Sequence, residues 1–192
     1  MNYLFSIFKR SNAIFKLLGI FLIVFLPMGC STMDNLLTQP LTFKKHGFAV
    51  NCYSARDVQV IYGYIANSSY SCGAGKIARA KRVEDEKRYW GGTGGIPAFT
   101  GPAKIHWYSK DGAEHAYQLS LDEVFKGKKI LHTEDPTRIA QYNPPTEPII
   151  IVEVNDRTLN VYMDTFIYLI ADPNVKGSEE SRNIHLAFTK KF

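Results

Sequence analysis

The residues of this 192-residue chain whose types could do chemistry are three cysteines, five histidines and one glycine–lysine turn. The histidines are His46, His106, His115, His132 and His185. No two stand four apart in a His-x-x-x-His pair, and none accompanies a cysteine cluster, so zinc-type ligand spacing is missing. Gly73-Ala74-Gly75-Lys76 has part of a phosphate-cradling loop, but the pattern needs glycine where Tyr70 stands and Ser or Thr where Ile77 stands. It reads as a turn. No Gly-x-Ser-x-Gly elbow is present. Carboxylates such as Asp111, Asp156 and Glu84-Asp85-Glu86 lie in turns or among basic residues, where solvated turn chemistry accounts for them. The chain is therefore expected to be non-enzymatic, with no metal and no cofactor, although a triad dispersed along the sequence is recognised only by geometry.

The cysteines are more informative. Residues 1–29 contain Lys9, Arg10 and Lys16 and no acid, and an apolar run from Leu17 to Leu26 follows. A positive segment followed by a short apolar one is the layout of a secretory signal. A spanning helix needs about twenty apolar residues, more than this run supplies. The alternative is an uncleaved N-terminal anchor with an ordinary cysteine. Leu26-Pro27-Met28-Gly29-Cys30 resembles the lipobox of bacterial lipoproteins, with Gly29 and Cys30 fitting and Pro27 and Met28 departing from the usual residues. The resemblance implies cleavage before Cys30, palmitate-type acylation of that residue, and a periplasmic location. Ser31 in place of Asp implies, by the same resemblance, an outer-membrane anchor. Cys52 and Cys72 then remain in an oxidising compartment, where an even remainder points to one disulfide; two free thiols are the competing reading.

Removing residues 1–29 also changes the charge. The whole chain has 23 Lys+Arg against 18 Asp+Glu, and three of the basic residues lie in the signal, which leaves a net of +2 on the mature part. Nucleic acid is not an expected partner at that balance. Residues 31–45 read as a tether, and 46–192 as one domain large enough for a proper core.

The elements that position the remaining residues read mainly as strands. Val58, Val60, Tyr62 and Tyr64 alternate with Gln59, Ile61 and Gly63. Ala103–Ser109 and the following run to Leu121 form a hairpin whose turn can be chosen by face. Partners must share a face because side chains alternate with period two. A three-residue Lys110-Asp111-Gly112 loop pairs Ile105 with Tyr117 and Ala103 with Leu119, and puts Gly112 in the left-handed position. A two-residue loop would mix faces. A second hairpin pairs Val154 with Leu159, Val152 with Val161 and Ile150 with Met163. The chain continues through Phe166 to Ile170, and Ile184, Leu186 and Phe188 are expected on one face of a last strand. Ser120 and Glu123 have capping-box spacing, so one short helix is expected near 121–129. The fold class is mainly β, antiparallel hairpins in a sandwich or strongly twisted sheet with at most one or two short helices.

Two long irregular connections, 67–102 and 126–148, stand out as functional candidates. The first carries Lys76, Arg79, Lys81 and Arg82, then Tyr89-Trp90 beside glycines. Arg79, Arg82, Tyr89 and Trp90 are the candidate partner-binding residues, since Tyr, Trp and Arg are enriched at interface hot spots. The basic group reads either as an electrostatic contact for an acidic partner or lipid headgroups, or as a solvated face. Trp90 packed into the core is an equal competitor.

Gly91-Gly92-Thr93-Gly94-Gly95, Pro102, Lys104-Ile105-His106-Trp107 and the Asp111-Gly112 turn, behind the Cys30 segment, complete a plan similar to that of small Gram-negative lipoproteins. These act as immunity partners of type VI secretion lipase effectors. The similarity covers about 58–170 and rests on spacing and composition. It implies a protein that binds and inhibits a phospholipase effector in the periplasm. A structural or assembly lipoprotein of the envelope is the alternative, and a lipid- or peptidoglycan-directed enzyme a third. The anchoring expectation has a direct check. Cys30→Ala should abolish incorporation of labelled palmitate and leave precursor in the inner membrane; equal labelling of both proteins would contradict it.

Overall fold

In the computed structural model the described residues are 40–63, 69–87, 92–141, 143, 146–174, 176–177 and 179–192. Cys30, Tyr64, Tyr89 and Trp90 therefore lie outside them. Residues from Pro40 onward make one compact unit. Among the described residues no helix is long and apolar enough to cross a membrane.

The unit is built from nine strands in two sheets that share one core. β1 (Lys45–Tyr53), β4 (Thr93–Pro97), β7 (Ile149–Asn155), β8 (Thr158–Tyr168) and β9 (Glu180–Lys191) form a five-stranded sheet in the order β4-β1-β7-β8-β9. β2 (Ala55–Ile61), β3 (Ser69–Cys72), β5 (Ala103–Ser109) and β6 (Glu114–Leu119) form a four-stranded sheet in the order β3-β2-β5-β6. The mainly β expectation holds, with one addition. β1 and β7 are parallel, Phe48 beside Ile150 and Val152 beside Val50. A parallel neighbour about a hundred residues away leaves no mark on local periodicity.

Both hairpin registers are as the face rule requires. Ala103 pairs with Leu119 and Ile105 with Tyr117 across a turn in which Gly112 has φ 86°. Ile150 pairs with Met163, Val152 with Val161 and Val154 with Leu159. The inner faces meet in a core that includes Val58, Val60, Ile105 and Trp107 from one sheet and Phe48, Ile150, Val152 and Met163 from the other, each no more than 2% exposed. Burying such side chains is worth about 1.5–3 kcal/mol each.

The two sheets are also stitched by polar contacts at one end. Trp107 Nε1 donates to the Asp156 carbonyl at 2.8 Å, and the Lys110 amide to Asp156 Oδ1 at 2.8 Å. Arg157 pairs with Asp111 across the same junction. The tips of the two hairpins thus lock together.

Several expectations need correction. The helix after Ser120 is shorter than 121–129: α1 covers only Leu121–Val124, with Ser120 Oγ accepting from the Glu123 amide at 3.4 Å. Gly127, with φ 72°, interrupts the run. The tether ends sooner than 45, because Phe43 is 2% exposed in the core and Thr42 bridges Lys129. The 67–102 connection contains two edge strands, β3 and β4. Gly92 there lies so close to Phe48 that a Cβ would stand 2.6 Å from its carbonyl oxygen. A glycine cluster reads as loop in sequence, yet only glycine lets this backbone reach the β1 edge.

The last strand also differs. Val161 pairs with Phe188 but Tyr162 pairs with Leu186, so Ala187 is an extra residue in a bulge. Phe188 therefore turns to the core, while Ile184 and Leu186 stand on the outer face, where Leu186 is 53% exposed. Simple alternation puts all three on one side.

Cys52 and Cys72 are bonded, joining β1 of one sheet to β3 of the other across a sequence separation of 20. Closing such a loop should stabilise the fold by about 3 kcal/mol in the chain-entropy model. Urea unfolding of Cys72→Ser should show a loss of that order with an unchanged native spectrum. No change in midpoint would contradict it.

Candidate binding face

The outer face of the five-stranded sheet carries residues of the opposite parity: Ala49, Asn51 and Tyr53 of β1, Ile151 and Glu153 of β7, Tyr162, Asp164, Phe166 and Tyr168 of β8. A solvated outer face would leave these exposed. Ala49, Tyr53, Ile151, Glu153 and Asp164 are instead buried. On this face lies the segment 77–87, a strap running from the end of β3 through a short 3-10 turn at Val83–Lys87.

Backbone and side-chain bonds hold the strap down. The Ala78 amide donates to the Ala55 carbonyl at 2.7 Å, and the Ser54 amide to Ala78 O at 3.1 Å. Arg79 makes a two-pronged contact with Asp85, both nitrogen–oxygen distances being 2.6 Å, with its guanidinium over the Tyr53 ring. The Arg82 amide donates to the same carboxylate at 2.8 Å. Lys81 crosses to Glu153, with Nζ 3.0 Å from Oε2 and 3.1 Å from Oε1. Asn160 and Tyr162 also donate to Glu153, at 3.0 and 3.4 Å.

Burial alone would lower the Lys81 pKa, but the hydrogen bond and charge of Glu153 outweigh it and hold the ammonium well above its ordinary value. Burial, then the Asp85 and Glu153 charges, push the Tyr53 phenol up to about 12. The Tyr162 phenol is raised for the same two reasons, burial and Glu153.

Between the strap and β9 a cleft of about 330 Å³ opens, lined by Lys81, Glu86, Ile151, Tyr162, Ile184 and Leu186 among others. Beyond it, among the described residues, the outer face of β8–β9 is open only in part, with Asp164 2% exposed and Ile184 half-buried. Tyr162 stands opposite Leu186, Asp164 opposite Ile184 and Phe166 opposite Arg182. Phe166 is 37% and Tyr168 41% exposed, and Ile170, just past β8, 56%. Asp164 and Arg182 pair in two-pronged fashion within this apolar row, at 2.9 and 2.6 Å.

Of the residues singled out in sequence, Arg79 is engaged with the chain's own Asp85 and Arg82 keeps an exposed side chain. Tyr89 and Trp90, which follow the strap, lie outside the described residues, as does Cys30. Lys81 stands out in sequence only as one of the basic group, and Glu153 and the β8–β9 row do not stand out. The available signal was Glu153 itself, a carboxylate in the middle of the apolar run Ile149–Val154.

One arrangement invites a catalytic reading. Ser109 Oγ lies 3.0 Å from His115 Nε2 and 2.5 Å from Asp111 Oδ1. The hydroxyl donates to Asp111, so the imidazole donates to Ser109, opposite to the proton transfer a nucleophilic serine needs. Ser109 is 1% exposed, and His115 stacks on Trp107. The trio braces a hairpin turn. The Ser109 and Arg157 contacts hold the Asp111 carboxyl well below the usual range. Among the described residues no group of three or more His, Cys, Asp or Glu is placed to hold a metal. His46 is buried, its Nδ1 donating to the Gly47 carbonyl and its Nε2 accepting from Tyr62, both at 2.9 Å; burial lowers its pKa, which keeps it neutral.

No family model, no curated protein and no solved structure matches the chain.

The strap's ion pair gives two expectations. Lys81→Met strands the Glu153 carboxylate and should cost about 3 kcal/mol of unfolding free energy, most of it recovered by adding Glu153→Leu. A destabilisation that the second change deepens would contradict the pairing. Alkaline titration should also unfold the protein. Unfolded tyrosine ionises near pH 10 while Tyr53 holds its proton to about 12, so stability falls as pH rises through that window. Lys81 acts in the same direction, its contribution being intact below the unfolded lysine value and lost above it. Tyr53→Phe should flatten part of this decline in a Tm-versus-pH series.

Proposed function

We propose that this chain is a lipid-anchored periplasmic protein that binds another protein through the outer face of β8–β9, and that the bound protein is a phospholipase effector of type VI secretion, which it inhibits. The observation that carries the binding part is the exposed group of Phe166, Tyr168 and Leu186, with half-buried Ile184, beside the strap. The strap lies over part of that sheet's outer face, next to this group. Contiguous exposed apolar surface with aromatic residues and an arginine is the composition of an interface core. The Asp164–Arg182 pair within it adds fixed charges that discriminate between partners.

The choice of a phospholipase rests on the resemblance of the Cys30 segment and the 91–112 region to immunity lipoproteins. Lipid on Cys30 would hold the inhibitor beside the bilayer its target attacks and raise its effective concentration there. In that arrangement the rigid sheet supplies the contact and no reaction is asked of it.

Calorimetry with a purified type VI secretion phospholipase effector tests the reading, together with hydrolysis of phospholipid vesicles by that effector. The wild-type chain should bind and stop hydrolysis at equimolar ratio. Leu186→Asp should weaken binding by about 2 kcal/mol, roughly thirtyfold, with little change in thermal unfolding. Unimpaired inhibition by a well-folded Leu186→Asp protein would remove this face from the interface, and failure of the wild type to bind would remove the phospholipase.

A further inference from the structure

We infer that the end of the fold where the chain enters is an electrostatic contact surface for anionic phospholipid headgroups. Five lysines gather there from two segments: Lys44 and Lys45 at the start of β1, and Lys126, Lys128 and Lys129 after α1. The segments are hydrogen-bonded side by side, Phe43 N to Lys128 O at 3.0 Å and Ile130 N to Leu41 O at 2.8 Å, with Thr42 bridged antiparallel to Lys129. In that ladder Lys44 falls on the same side as Thr42 and Lys129, all three exposed. Opposite Lys44 the ladder has Gly127, which adds no side chain, and the Lys129 stem lies 3.8 Å from where a Cβ there would be. Among the described residues none of the five lysines has an ion-pair partner. Among the described residues Asp122 and Glu123, in the helix before Lys126, and Glu147, within electrostatic reach of His46, are carboxylates near this end.

The occupant follows from the length of chain before Pro40. This inference rests on lipid at Cys30, as proposed above. Pro40 lies ten residue steps after Cys30, a reach of at most about 35 Å even fully extended. The lysine end is therefore the part of the fold the tether delivers to the membrane. Screening confines its field to about 8–10 Å, so it acts only on a surface the tether brings that close. Juxtamembrane lysines are drawn to the surface of an anionic bilayer. The contact would also orient the domain, turning the hairpin tips at 110–112 and 155–158 away from the bilayer.

The test uses residues 31–192 without acyl chain, since the folded unit and its core begin at Pro40. Partition onto phosphatidylcholine vesicles with and without phosphatidylglycerol is measured by sedimentation at two salt concentrations. Binding should require phosphatidylglycerol and weaken at high salt. The variant Lys44→Gln/Lys45→Gln/Lys126→Gln/Lys129→Gln should lose tenfold or more in partition coefficient, and Lys76→Gln/Lys110→Gln/Lys191→Gln, at the opposite end, should lose little. Thermal unfolding reports whether each variant is folded, and the wild-type lipid and salt dependence stands without any variant. Wild-type binding that ignores phosphatidylglycerol, no binding at all, or equal losses in the two variants would overturn the inference. Because this protein carries no lipid, those results are independent of palmitate labelling at Cys30, which alone decides the anchor.

Discussion

A carboxylate in the middle of an otherwise apolar strand governs how this molecule presents itself. Glu153 sits on the outer side of β7 and is 3% exposed. A buried charge without a partner is costly, so the chain must bring a cation to it. It does so with Lys81, 72 residues earlier, aided by Asn160 and Tyr162. Seating Lys81 there brings down the 77–87 strap, which the Arg79–Asp85 pair braces internally while Arg79 lies over Tyr53 of β1. The strap lies over parts of β1 and β7 and reaches Tyr162 of β8 through Lys81. The position of one glutamate thus decides where the strap is seated on the sheet.

The same pairing engages two of the four basic residues between Lys76 and Arg82, while Lys76 and Arg82 stay exposed. Arg79 and Lys81 spend their charge on the protein's own carboxylates, and their flat or flexible heads lie over Tyr53 and Tyr162. Charge also reaches solvent elsewhere, at Lys44, Lys45, Lys126 and Lys129. Neither distribution follows from the linear order of charges, since each depends on which segments the sheets bring together.

Much of the sandwich was legible in the sequence, and the failures share a cause. The two hairpins are local: apolar parity and turn length fix their register, and Gly112 marks the left-handed residue. The Cys52–Cys72 bond was reachable by counting cysteines. Long-range features were not legible. The parallel β1–β7 pair, the β4 edge strand hidden in a glycine cluster, and the Lys81–Glu153 pair each join segments far apart in the chain. The Ala187 bulge inverted the expected parity of Ile184 and Leu186, and with it the apolar row that now forms the candidate face. A residue inserted in a ladder is invisible to a period-two count, because the count has no phase marker until a partner strand supplies one.

The central claim is that the partly open outer side of β8–β9 is where a protein partner sits. Backbone amide hydrogen exchange of the chain alone and in the presence of a type VI secretion phospholipase effector tests it most directly. Protection should rise over 162–170 and 180–186 and in the adjoining strap, and stay unchanged over β5 and β6 on the opposite side of the sandwich. Protection that rises over β5–β6 while 162–170 and 180–186 exchange as in the free protein would contradict the account.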